Sequence, residues 1–280
     1  MTSPALETFA QRLWREAEAK RSWVCLGLDV DLERLPAPLP HSLAGAEVFL
    51  RNVIEACSDL VVAFKPNFAF YTALGADGLH LLNHVRDSVG DAAILILDGK
   101  VGDVGDTSEQ YAKTMFDVFK ADAITFNAWG GHDSIQPLIN RPGKGAFAWV
   151  RSSNPGADDI QGVSDHDGQS VFMGLASSVA AWNVSGNLGT VVGATRPYDM
   201  EVVRALTPGM PILAPGVGVQ GGDLAATVQR GFGEAPGGVL INAGRSALWA
   251  GDDVSYAESV RRVVEGLRSN IEDARPSNDV

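Results

Sequence analysis

Apolar positions along the chain fall into short, nearly continuous runs, and between the runs they recur every three or four residues. The runs cover residues 23–28, 60–65, 92–98, 121–126, 146–150, 189–192, 211–214 and 238–241. Continuous runs without alternation suit parallel strands buried on both faces. The intervening stretches at residues 42–57, 73–88, 108–119, 134–138, 171–184, 199–206 and 224–230 carry the period of amphipathic helices, and a last one covers 256–268. An N-terminal helix precedes the first strand, with Leu6, Phe9, Leu13 and Ala17 at helical spacing.

Eight strands, each followed by a helix, predict an α/β protein of the (β/α)₈ TIM-barrel class. A doubly wound open sheet would show the same alternation. The polar residues at the strand ends favour the barrel: Asp29, Lys65, Asp98 with Lys100, Asn127, Ser152 with Ser153, Gln220 and Arg245. A barrel brings all such C-terminal ends to one mouth, whereas an open sheet strings them along an edge. No linker-like composition divides the chain. Residues 1–272 are therefore expected to form a single barrel domain with its N-terminal helix, and residues 273–280 a frayed tail.

Composition narrows the class. The chain has 280 residues, 45% of them hydrophobic, enough for a full core. It lacks a long apolar run that would span a membrane and an apolar leader at its start. Its formal charge of −12 argues against nucleic acid as a general partner, but a few local cations can still hold a small anion. Cys25 and Cys57 both lie in apolar surroundings, which suits buried, reduced thiols and a cytoplasmic enzyme.

The densest chemistry lies at residues 92–107, AAILILDGKVGDVGDT. A buried strand ends there in two carboxylates and an ammonium. Residues two apart on a strand share a side, so Asp98 and Lys100 face together. Asp103 follows in a turn whose flanking glycines, Gly102 and Gly105, allow the backbone to carry it out of its own barrel. Lys65 ends the preceding strand. A lone Asp-x-Lys is more often a structural ion pair at a rim, but four charged residues on adjacent strand ends reverse that preference. Opposite neighbours keep each group charged, so Lys100 stays protonated and able to donate.

Other motifs are weaker. Gly216, Gly218 and Gly221 match G-x-G-x-x-G, but at the seventh strand of eight rather than at the start of a dinucleotide-binding unit. The loops after strands seven and eight of a barrel are a common phosphate site, and Arg245 supplies a guanidinium there. Ser152-Ser153-Asn154 could read the polar edge of a planar ligand, although alone it is an ordinary turn. The acidic stretch Asp165-His166-Asp167-Gly168 lacks the remaining positions of a calcium loop. In His132-Asp133-Ser134, a helix cap is a better reading than a ligand pair. No Cys/His cluster has metal-ligand spacing.

Taken together, these segments resemble the orotidine 5′-phosphate decarboxylase family, in particular its longer bacterial branch. The segments are RSWVCLGLDVD, VVAFKPNFAFY, LDGKVGDVGDTSEQYA, ADAITFNAWGGHDS, VRSSNPGA, VVGATRP, APGVGVQGGD and INAGR, in order and across nearly the whole chain. The D-x-K-x-x-D triplet is shared with related phosphosugar enzymes, while the complete set is far more specific. The resemblance implies decarboxylation of orotidine 5′-phosphate to UMP, the last step of pyrimidine nucleotide synthesis, with no metal and no cofactor. It implies Lys100 as proton donor to C6, Asp98 beside the substrate carboxylate, and Lys65 completing the charged array. Asp103, Val104 and Thr107 resemble a segment lent by the other subunit of a homodimer. Asp29 resembles a ribose ligand, Ser153 the residue at the pyrimidine edge, and Gln220 and Arg245 the phosphate ligands. Two positions depart from the pattern: Val30 stands where proline is frequent, and Val101 where arginine is common. The alternatives are a Mg²⁺-dependent phosphosugar decarboxylase or aldolase, a catalytically silent phosphate-binding barrel and, last, an NAD-dependent enzyme.

Overall fold

The computed structural model describes residues 7–217 and 221–276. Eight strands pair in sequence order and close on themselves, β1 lying beside β8. They are β1 (Val24–Gly27), β2 (Ala63–Lys65), β3 (Ile94–Val101), β4 (Ala123–Phe126), β5 (Gly145–Arg151), β6 (Leu188–Val192), β7 (Ile212–Pro215) and β8 (Val239–Ala243). All pairings are parallel. The closed ring settles the choice against an open sheet.

The helices form the outer layer. They are α1 (Phe9–Lys20), α2 (Leu43–Cys57), α3 (Phe68–Thr72), α4 (Gly75–Val89), α5 (Gly105–Ala112), α6 (His132–Ile139), α7 (Val171–Trp182), α8 (Pro197–Leu206), α9 (Leu224–Gly231), α10 (Arg245–Leu248) and α11 (Tyr256–Ala274). Their starts follow local chemistry. Thr8 and Gln11 form a reciprocal capping box ahead of α1, Asp223 caps α9, and Pro197 opens α8 where its missing N–H costs nothing. The start of α6 differs from expectation: Gly131 precedes it, and neither Asp133 nor Ser134 caps it. The short helices α3 and α10 have too few turns to show a period, so the pattern of apolar residues does not reveal them.

The N-terminal end of the barrel is plugged. The Phe9 ring packs edge-on against Phe147 and fills the space where a Cβ on Gly145 would come within 2.3 Å of it. Trp23 likewise occupies the space beside Gly238, where a Cβ would meet the indole at 1.9 Å. The Lys20 ammonium donates to the carbonyls of Ser58 and Val61 at 2.7 and 2.8 Å and to that of Ala92, and so ties α1 to the entrances of β2 and β3. Ligand access is left to the opposite, C-terminal mouth.

The expected frayed tail begins too early in the chain. Helix α11 continues through Ala274, and Arg275 pairs with Glu18 at 2.8 Å while its guanidinium lies 5.0 Å from the Phe232 ring centre. These contacts hold Arg275 against the body of the barrel; residues 277–280 lie outside the described part, as does Leu6.

Candidate active site

A cavity of about 270 Å³ opens at the C-terminal mouth. Asp29 from the end of β1, Lys65 from β2, Asp98 and Lys100 from β3, Ser153 from beyond β5 and Arg245 at the start of α10 all line it. Gln220 and Gly218 lie outside the described residues.

Asp98 is the centre of the site. Its Oδ2 accepts from Lys65 Nζ at 2.7 Å, and its Oδ1 accepts from Lys100 Nζ at 2.8 Å and from Thr125 Oγ1 at 2.7 Å. Burial alone would raise the Asp98 pKa, but the ammoniums of Lys65 and Lys100 outweigh it and hold the carboxyl well below its usual range. Burial likewise pushes Lys65 down, but Asp98 and Asp29 reverse this and keep it charged well above the ordinary lysine value. The Lys65 side chain is 5% exposed and that of Lys100 is 33% exposed. Lys65 is therefore a fixed buried cation at the cavity wall, and Lys100 is the more exposed of the two.

Lys100 is held by an irregularity in β3. The register against β4 shifts between Leu97 and Val101, and Lys100 takes a φ of +43°. A residue with a side chain pays strain to adopt that region, and such strain gathers at functional sites. Thr125 supports the bulge, because its Oγ1 accepts the Lys100 backbone N–H at 2.9 Å while donating to Asp98. One buried hydroxyl thus fixes both members of the Asp98–Lys100 pair. Sequence reasoning missed Thr125, whose only signal is its place as an inward-facing polar residue on an otherwise apolar strand.

The glycines around Asp103 act differently from expectation. Gly102 is required for close approach, since a Cβ there would fall 2.3 Å from the Asn127 carbonyl oxygen. The left-handed backbone belongs to Lys100 rather than to a glycine beside Asp103. Asp103 is exposed; its Oδ1 accepts the Val104 N–H at 2.7 Å, and its N–H donates to Ser108 Oγ at 3.1 Å. Val104 is 72% exposed, and Thr107 is exposed as well. These three residues do not line the cavity of their own chain.

Asp29 faces the cavity with one buried oxygen, Oδ1, that has no hydrogen-bond partner. Burial raises its pKa, Lys65 opposes the rise and Asp98 adds to it, with a net shift upward. Beneath it, burial pushes the Cys25 thiol up to about 12, and its Sγ lies 3.7 Å from Asn242 Oδ1. Both cysteines are buried and free. Gly216 and Gly221 adopt φ values of +101° and +78°, and Gly222 N–H donates to Gly216 O at 3.1 Å. Gly216 and Gly221, two of the three glycines that match G-x-G-x-x-G, thus serve a turn beside the cavity. Arg151, Trp149 and Asn242 also line the cavity and were not anticipated as site residues. Among the described residues, no three His, Cys, Asp or Glu side chains gather so as to hold a metal ion.

A stability prediction follows from Asp29. Its folded pKa lies above its unfolded value, so the ionised form costs stability at neutral pH. Asp29→Asn should raise the thermal midpoint at pH 7. The gain should shrink as pH falls and vanish below about pH 4, where the parent carboxyl is protonated in both states. Thermal unfolding of the two proteins across this range checks it; a variant less stable at pH 7 would contradict it.

A family model described as "Orotidine 5'-phosphate decarboxylase / HUMPS family" matches residues 22–260. A curated relative from Thermomicrobium roseum, named orotidine 5'-phosphate decarboxylase, is 42% identical over 270 residues, covering 96% of each chain. The solved Leishmania donovani OMP decarboxylase has a TM-score of 0.79 at 33% identity, over 94% of this chain and 99% of its own. The Leishmania donovani UMP synthase has a TM-score of 0.82 at 34% identity, over 93% of this chain but 56% of that longer one. With a closed barrel, an Asp98-centred array at its mouth and matches of this extent, the chain belongs to the orotidine 5′-phosphate decarboxylase / HUMPS family.

Proposed function

We propose that this chain decarboxylates orotidine 5′-phosphate to UMP in the cytoplasm, with Lys100 delivering the proton to C6 and with no metal or organic cofactor. The observation that carries the reading is the Asp98 carboxylate gripped by Lys65, Lys100 and Thr125 at the mouth of a closed barrel. Full-length relatives named for this activity support it.

Loss of CO₂ from C6 leaves an electron pair in the plane of the ring, where the π-system delocalises it poorly. A cation already fixed beside that carbon lowers the barrier, because its orientation needs no reorganisation as charge develops. Lys100 meets this requirement through its bond to Asp98 and its anchored backbone. It then transfers the proton that replaces CO₂. A substrate carboxylate set near Asp98 meets a like charge, and its departure relieves that contact. Binding energy for closing the site comes from the far end of the substrate, where Arg245 and Gln220 take the phosphate. Ser153 reads the pyrimidine edge and Asp29 the ribose. The orphaned oxygen of Asp29 suits this role, since a sugar hydroxyl would supply the missing donor.

The site is completed by a second copy of the chain. Asp103, Val104 and Thr107 are exposed and do not line the cavity of their own chain, as residues that serve a neighbour would be placed. Trp129, 74% exposed, and Ile160, 55% exposed, add apolar surface on the loops after β4 and β5. A two-fold interface through this face places each Asp103 in its partner's site reciprocally.

Two experiments check this reading. Protein treated with EDTA should convert orotidine 5′-phosphate to UMP, read as loss of pyrimidine absorbance, and Lys100→Ala should lower turnover by roughly 10³-fold or more. Activity that vanishes on chelation and returns with Mg²⁺ would favour a metal-dependent phosphosugar enzyme. For the shared site, inactive Lys100→Ala and Asp103→Ala proteins are mixed under conditions that exchange subunits. Each heterodimer then carries one intact site, and activity should return to about one quarter of the parent level. Verified exchange without recovery would place Asp103 in the service of its own chain.

A further inference from the structure

Arg151, the last residue of β5, is 3% exposed although it carries a permanent charge. Two carboxylates hold it. Its Nε donates to Asp199 Oδ2 at 2.7 Å, its Nη2 donates to Asp158 Oδ1, and its guanidinium lies 5.1 Å from the Phe172 ring centre. The second oxygen of Asp158 accepts from Arg196 Nη2 at 2.9 Å. Four side chains of alternating sign therefore join three places: the end of β5, the turn Pro155–Asp159 and the beginning of α8. A buried guanidinium needs such partners to offset its lost hydration, and its planar fork makes their geometry directional.

Ser152-Ser153 follows Arg151 directly in the chain. Gly193 leaves space for it, since a Cβ there would come within 2.6 Å of Ser153 Cα. Thr195 Oγ1 donates to the Ser153 carbonyl at 3.1 Å, and Ser152 N–H donates to Gln161 Oε1 at 2.8 Å. The loop from 152 to 170 is long for a connection in a compact fold, and long loops stay open unless something ties them down. Here the ties converge on the segment that borders the cavity. Arg245 lies after β8, three strands further round the barrel, and shares none of them.

We propose that the Arg151–Asp158–Arg196–Asp199 cluster is a positioning device that sets Ser153 against the substrate's ring, so that it governs recognition of the base and leaves recognition of the phosphate alone. The inference rests on Ser153 facing the pyrimidine, as read above. Arg151 itself lines the cavity with an Nη1 that has no partner among the described residues, so positioning through Ser153 is judged at Asp199, which holds the guanidinium and does not line the cavity. A single hydroxyl contributes to recognition only when its supporting shell holds it to within about half an ångström, and the cluster supplies that shell.

The test measures equilibrium binding of UMP and of ribose 5-phosphate, which lacks the base, to five proteins: the parent, Asp199→Asn, Ser153→Ala, the double variant of these two and Arg151→Lys. Asp199→Asn should weaken UMP binding by about five- to tenfold while leaving ribose 5-phosphate within about twofold. In the Ser153→Ala background the same change should have no further effect on UMP. Arg151→Lys, which keeps the charge but cannot span both carboxylates, should show the same selective loss. If that variant does not fold, Asp199→Asn decides, and its retained ribose 5-phosphate binding certifies the fold. Equal losses for both ligands, or the same loss of UMP with and without the Ser153 hydroxyl, would overturn the proposal. Selective loss in Ser153→Ala with none in Asp199→Asn would reject the cluster and keep Ser153 as the base-reading residue. Unchanged UMP binding in Ser153→Ala would reject both.

Discussion

The site depends on one carboxylate. Asp98 is buried at the floor of the barrel mouth and accepts from two ammoniums and a hydroxyl at 2.7–2.8 Å. Without it, Lys65 would be a cation withdrawn from water with only Asp29 to answer it, and burial would drive it toward neutrality. Lys100 would lose the bond that fixes its ammonium over the cavity. The strained backbone at Lys100 belongs to the same arrangement, because the bulge lets residues 98 and 100 meet one cavity while Thr125 binds both. Charge, strain and hydrogen bonding are thus solved together in one short stretch of β3.

The barrel makes this affordable by dividing labour between its ends. Trp23, Phe9 and Lys20 close the N-terminal end with apolar packing and backbone hydrogen bonds, so stability is concentrated away from the chemistry. The mouth is left to polar groups whose individual positions are costly, among them an unpaired Asp29 oxygen and a lysine at positive φ. A net charge of −12 does not prevent anion recognition there, since Lys65, Lys100 and Arg245 all line one cavity.

The barrel was legible because parallel strands buried on both faces leave unbroken apolar runs, and each of the eight ranges contains or overlaps an observed strand. Asp98, Lys100 and Lys65 were legible because charges at the ends of such runs have few other uses. Thr125 was not, because threonine suits any strand and its task appears only when β4 lies beside β3. The cluster around Arg151 was equally hidden: Asp199 is 48 positions away along the chain, and only the closure of β5 against β6 makes them neighbours. Positive φ at Lys100 leaves no trace in a hydrophobic pattern, so attention fell on the freedom of Gly102 and Gly105 instead. The tail boundary failed for a similar reason, since the partners of Arg275 come from α1 and the end of α9.

The claim that Asp98 holds the site in its charged state can be tested directly by following the Lys65 ammonium. Titration by ¹⁵N-detected NMR in the parent and in Asp98→Asn compares the two environments at one atom. In the parent, Lys65 should remain protonated beyond the ordinary lysine value of about 10.4, because Asp98 and Asp29 together outweigh its burial. In Asp98→Asn, burial should prevail and the midpoint should move down. The same midpoint in both proteins would mean that Asp98 does not hold the charge of Lys65, and the account of the site would fail at its centre.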